Sequence, residues 1–218
     1  MNSSEDKIAE IKNSLRLRMN GIAAKAMKDN CQRYRLVYGV PMHELREIAA
    51  SHEKDNSIAE KLWASGVREE MLIATMMIPN DEMNEDRIKR YATESPSLEV
   101  LMELSRNIDD ARMNDDTLLT WADGNDENTA GLSMVAAAKR INLMDDAHTE
   151  AMLSKSISLG EKPSYILAKS CAEFIKGYIH EKRIKKTEIE DRIKHLSQSN
   201  NKTSRLLYEE IMTEIKYG

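Results

Sequence analysis

The segment Leu62–Ile78, LWASGVREEMLIATMMI, returns 58 residues later as Thr120–Ala136, TWADGNDENTAGLSMVA. Trp63/Trp121, Ala64/Ala122, Gly66/Gly124, Glu69/Glu127 and Met76/Met134 coincide in place. Each copy reads as an amphipathic stretch ending in Trp, a short Gly turn, a charged helix start and a nearly unbroken apolar helix. A fainter third copy, SLGEKPSYILAKSCAEF from Ser158, is aligned by Gly160 and by Ala168 at the place of Ala74. Repetition of a two-helix unit is the mark of stacked helical hairpins, because such a unit can bury its apolar face only against a neighbour. The expected fold is therefore all-α: a HEAT-like helical-repeat solenoid, a right-handed superhelix of paired antiparallel helices.

Local signals place the helices. Ser3 and Ser4 can cap a first helix carrying Ile8, Ile11, Leu15 and Met19 at helical spacing. A short helix is expected over Gly21–Arg35, and Pro41 suits the first turn of Pro41–Ala50. Ser57 is expected to cap Ile58–Ser65, with Gly66 supplying the left-handed turn that other residues resist. Val67–Ile78 is apolar on nearly every face, as in a helix buried between layers. Glu82–Thr93 follows, and Ser95-Pro96 reads as a cap opening the helix Pro96–Ile108. Asn114–Ala122 with Glu127–Ile141, and Asp145–Leu159 with Lys162–Ile179, form the next two pairs. Helices near Lys185–Leu196 and Lys202–Tyr217 are polar enough to cap the end of a stack. No composition break divides the chain, so one domain over 1–218 is expected, with 181–218 as capping helices.

Composition excludes several classes. Only one Phe, 8 Gly and 4 Pro beside 32% charged residues disfavour a sheet protein. No apolar run approaches the ~20 residues of a membrane span. The start, MNSSEDKIAE, lacks the basic and apolar regions of a signal peptide, so a cytoplasmic location is expected. Cys31 and Cys171 form no CxxC pair and are expected as reduced thiols. The five histidines are scattered without metal-ligand spacing, so neither a metal nor a cofactor is expected. The methionines of the repeats, Met71, Met76, Met77 and Met134, read as core filler, and Trp63 and Trp121 as inter-repeat packing. Charge is uneven: residues 81–128 carry 14 acidic and 5 basic groups, whereas 129–218 carry 12 acidic and 15 basic. The acidic middle disfavours polyphosphate binding there; the later repeats favour it.

Tyr38-Gly39-Val40-Pro41 leading to Leu45-Arg46, Leu62-Trp63 with Gly66 and a Glu before an apolar helix, and Trp121 heading a similar pair resemble the DNA alkylation repair family over roughly residues 20–180. The characterised members of that family are alkylpurine DNA glycosylases. The resemblance implies a concave basic surface that cradles duplex DNA. It also implies a carboxylate that stabilises positive charge growing on the deoxyribose, an Arg holding the neighbouring phosphate, and tryptophans packed on the lesion.

Residue by residue, those groups are not matched. Where the family has Ser-Trp-x-x-x-Asp this chain reads Ser95-Pro96-Ser97-Leu98-Glu99-Val100, which puts Pro at the Trp position and Val at the Asp position. Glu99 is one residue off, about 100° round the helix. The expected Arg falls at Ala130-Gly131, and the later Trp falls in Lys169–Ala172. The resulting expectation is a duplex DNA-backbone binder whose cleaving groups are lost. It would use Lys139, Arg140, Lys169, Lys176, Lys182 and Arg183 on the later repeats. Two alternatives stand beside it: an inactive protein-interaction scaffold whose groove holds a protein partner, and an active glycosylase using Glu99 or Glu103.

Overall fold

A computed structural model of the chain describes residues 3–30, 33–108, 113–181 and 186–218. Among these residues every regular element is helical, and the one β-type pairing is an isolated parallel bridge between Leu36 and Val67. No described helix is long and apolar enough to cross a membrane. The chain forms two compact units, residues 1–88 with 106–108, and residues 89–105 with 109–218.

The first unit begins with α1 (Ser4–Leu17), whose N-terminus is closed by a capping box between Ser3 and Asp6. Next comes α2 (Gly21–Asn30); residues 31–32 of the expected Gly21–Arg35 helix lie outside the described residues, and residues 34–41 run as a non-helical strap. The strap is held by backbone bonds from Arg35 N–H to the Gly66 carbonyl (2.8 Å) and from Arg68 N–H to the Leu36 carbonyl (3.0 Å). Gly66, at φ +69°, makes the left-handed turn that presents its carbonyl to the strap.

After the strap come α3 (Met42–Ala50), α4 (Asn56–Trp63) and α5 (Arg68–Met77). The cap of α4 is Asp55, which accepts the Ile58 N–H, two residues before the expected Ser57. Every residue of α5 is buried, because α3 and α4 pack on it directly. Leu45, Ile58, Leu62, Leu72, Ile73 and Met77 form this core with no exposure, each contributing about 1.5–3 kcal/mol on burial. A 3₁₀ turn (Asn80–Glu82) leads on to α6 (Glu85–Thr93).

In the second unit, α7 (Leu98–Arg106) starts later than expected. The Ser95 hydroxyl donates to the Tyr91 carbonyl, and Asn128 holds the Thr93 and Ser95 carbonyls, so Ser97 takes over the cap. Then come α8 (Asp115–Ala122), α9 (Glu127–Arg140), α10 (Asp146–Gly160), α11 (Tyr165–Glu181), α12 (Lys186–Ile193), a 3₁₀ segment (Lys194–Gln198) and α13 (Lys202–Tyr217). The sequence repeats emerge as the hairpins α4/α5, α8/α9 and α10/α11. Each first helix packs on its own second helix, and in this unit second helices pack side by side as α9–α11–α13.

Both repeat tryptophans are packed away, Trp63 and Trp121 being 5% and 2% exposed. The Lys89 ammonium lies 5.8 Å from the centre of the Trp121 ring. Met71, Met76, Met77 and Met134 are all buried, as expected of core filler.

Candidate nucleic-acid interface

Glycines set the spacing of the second helices. Residues 129–137 of α9 are buried without a break, which requires neighbours on every side. A Cβ on Gly131 would lie 3.0 Å from the Ser170 Oγ and 3.1 Å from the Ile166 Cγ2. One on Gly177 would lie 2.9 Å from the Ile141 Cδ1 and 3.4 Å from the Ala138 carbonyl oxygen. The start of α9 therefore meets the start of α11, and the end meets the end. The two helices run parallel, and Lys139 and Lys176 leave them at the same height, beside the Ala138–Gly177 contact.

From there the two lysines lean opposite ways. The Lys139 ammonium donates to the Ser105 hydroxyl and, at 3.3 Å, to the Met102 carbonyl in the last turn of α7, where the helix dipole favours a cation. The Lys176 ammonium reaches the Glu210 carboxylate on α13 and lies 3.3 Å from Glu173. Lys169, two turns earlier on the same face, places its ammonium 2.6 Å from the other oxygen of Glu210.

One carboxylate thus bridges two lysines at the edge of a cleft of about 480 Å³, also lined by Glu209, Thr213, Glu214 and Tyr217. All three bridged groups are partly covered, with side-chain exposures of 28% (Lys169), 23% (Lys176) and 18% (Glu210). Burial alone would push Glu210 up, but the hydrogen bonds and charges of Lys169 and Lys176 outweigh it, and its carboxyl is held below the usual range. Burial alone would lower Lys176, and Glu210 with Glu173 outweigh that as well, raising it.

Arg140 faces elsewhere. Its guanidinium lies 3.4 Å from Asp115 in the first turn of α8, tying a hairpin together. Lys182 and Arg183 lie outside the described residues. Of the six basic residues singled out, the structure groups Lys139, Lys169 and Lys176 on one face and turns Arg140 away from it. Glu210 is the member of this cluster that sequence reading did not find. It stands 34 and 41 residues from its partners, and the only local sign of it is an acidic residue on the amphipathic face of a polar terminal helix.

The positions at which the sequence resemblance places the family's cleaving groups are occupied by packing. Val100 is fully buried and Pro96 is buried beside it. Ala130 and Gly131 sit in the contact of α9 with α11, and Ser170, Cys171 and Ala172 have no exposure. Glu99 is half-buried, and Glu103, one turn further along α7, is 4% exposed. Among the described residues no group of three His, Cys, Asp or Glu side chains is placed to hold a metal ion.

Helical hairpins stacked through their second helices define a HEAT-like repeat protein. Residues 11–178 match the family model described as DNA alkylation repair enzyme. The chain belongs to that family. A solved structure described as a new family of proteins related to the HEAT-like repeat DNA glycosylases, with affinity for branched DNA structures, superimposes with a TM-score of 0.70. It is 15% identical, and the alignment covers 94% of each chain. No curated protein matches the sequence.

Proposed function

We propose that this chain binds DNA through its phosphate backbone and does not release alkylated bases. The observation that carries this reading is the row of Lys139, Lys169 and Lys176 on one face of α9 and α11, within residues 129–218, which carry 15 basic and 12 acidic groups. Family membership supports it, as does the affinity of the structural relative for branched DNA. The absence of catalysis is supported by side chains that fill the core where an Asp, an Arg and a Trp would be needed. Without a carboxylate near the sugar, the charge that grows on the deoxyribose during base release has no counter-charge.

Binding is measured by fluorescence anisotropy on a labelled duplex and on a four-way junction. Affinity falls as salt rises from about 50 to 200 mM, with a log–log slope near −0.9 for each phosphate neutralised. Charge reversal of Lys139, Lys169 and Lys176 weakens every DNA to a similar degree, because backbone contacts carry no sequence information. The relative's property favours the junction over the duplex. Absence of salt-dependent binding to either DNA defeats the reading. Base release from DNA carrying N7-methylguanine or N3-methyladenine, lost in Glu99→Gln or Glu103→Gln, would establish the catalytic alternative instead.

A further inference from the structure

Resting on that reading, we infer that Glu210 is a resident counter-ion occupying a phosphate seat formed by Lys169 and Lys176, and that DNA engages this seat by displacing it. Two lysines one heptad apart on α11 converge on one acceptor, and that acceptor is a carboxylate from the neighbouring helix α13. A carboxylate offers two oxygens to two ammonium groups, which is the geometry a bridging phosphate would present to the same pair.

The seat is not sealed in the core. All three side chains keep part of their surface in water, and the cleft beside them is open along α13. Its further charged groups are also acidic: Glu209 and Glu214 line the cleft, Glu173 sits beside Lys176, and His180 Nε2 is 2.8 Å from Glu214. An incoming phosphate therefore meets repulsion from α13 as well as attraction from α11. The face reads as basic in sequence but is neutralised in the fold. The Lys139 ammonium, by contrast, turns to the other side and donates to a hydroxyl and a carbonyl of α7.

The exchange fixes a sign. In the intact chain, binding a phosphate at Lys169 and Lys176 must break two charge-assisted hydrogen bonds to Glu210, so the pair adds less to affinity than it would without that carboxylate. Removing the Glu210 charge while keeping its shape releases Lys169 from that carboxylate and leaves Lys176 with Glu173 alone of the two.

Glu210→Gln is compared with the intact protein and with Glu127→Gln, which removes the same charge from an exposed position at the start of α9. Far-ultraviolet circular dichroism confirms that each variant is folded. The expected result is duplex and junction affinity about tenfold tighter for Glu210→Gln at ~50 mM salt, with a salt slope steeper by about 1–2. Glu127→Gln changes affinity less than about twofold, since an exposed charge is well screened. Adding Lys169→Gln and Lys176→Gln to Glu210→Gln abolishes the gain. If the intact protein binds and Glu210→Gln binds no more tightly than Glu127→Gln, the counter-ion role is overturned and the DNA-binding reading stands. If neither the intact protein nor Glu210→Gln binds DNA at low salt, both fall together.

Discussion

The Glu69 carboxylate accepts the backbone N–H of Gly39 at 2.9 Å, across 30 residues of sequence and with no exposure to solvent. Its second oxygen accepts the Tyr38 N–H at 2.9 Å. The Arg68 guanidinium lies 2.8 Å from the same carboxylate and also donates to the Val40 carbonyl at 3.0 Å. One buried ion pair at the start of α5 thus satisfies the strap between α2 and α3. Gly39 itself sits at φ +78°, where a Cβ would overlap the Asn20 carbonyl and the Ala24 amide at the start of α2. The Tyr-Gly-Val element that drew attention in the sequence is accordingly an anchoring turn.

Glu69→Ala removes the acceptor of two backbone N–H groups and a carboxylate partner of the buried Arg68. The expected loss is about 3–5 kcal/mol, read as a lower urea midpoint. Gly39→Ala retains the pair and meets only the backbone penalty and the overlap, so it costs at least ~1–2 kcal/mol. If Glu69→Ala unfolds at the midpoint of the intact chain, the anchoring role is wrong.

His148 links α10 to α8 on an exposed face. Its Nδ1 is 2.8 Å from Asp145, the cap of its own helix, and its Nε2 is 3.2 Å from Asp116. The Asp116 and Asp145 carboxylates raise the imidazole above its ordinary value. Hydrogen bonds from the His148 backbone and ring lower Asp145. Stability from a raised imidazole is complete below its unfolded pKa and is lost as pH rises through the folded one. Stability from a lowered carboxyl is present above its unfolded pKa and is lost as pH falls through the folded one. The link is therefore strongest between the carboxylate and imidazole ranges and fades on either side. An NMR titration should place His148 above a free histidine, and Asp116→Asn should move it back. An unchanged His148 in Asp116→Asn refutes the contact.

Much of the fold is legible because its signals are local. The Ser3 cap, the turn at Gly66 and the hairpins whose first helices carry Trp63 and Trp121 at their ends follow from spacing and from the conformational freedom of one glycine. The non-helical path of residues 34–35 does not, since it belongs to a strap bonded to Gly66 and Arg68, more than 30 residues away. Repeat identity also misleads about burial. Glu69 and Glu127 are equivalent in sequence, but only Glu69 meets a strap and is enclosed; in the second copy Asp126 caps the helix and Glu127 stays in water. The lysine face was visible as composition. Its pairing with Glu210 was not, because no periodicity couples α11 to α13.

Cys171 tests the packing of α11. It has no exposure, and burial pushes its thiol well above the usual range. The thiolate is the reactive form, so in a Cys31→Ser background labelling by a soluble disulfide reagent should be slow. Its rate should rise in step with global unfolding as urea is added. Rapid labelling without denaturant would show that α11 is not enclosed as described.

The family resemblance places a phosphate-holding Arg at Ala130-Gly131, so Gly131→Arg asks whether that function can be restored. The structure answers through sterics. The new Cβ alone would sit 3.0 Å from Ser170 Oγ, 3.1 Å from Ile166 Cγ2 and 3.4 Å from Leu101 Cδ1. These groups surround it from α11 and α7, and all three are at least nine-tenths buried. The guanidinium could reach solvent only by parting α9 from α11, and overpacking a closed contact costs about 1–3 kcal/mol or more. Gly131→Arg should therefore lower the urea midpoint, with no gain in DNA affinity and no base release. A variant of native stability that bound DNA more tightly would show that the groove is open at this point, and that only one side chain separates this chain from its family's phosphate contact.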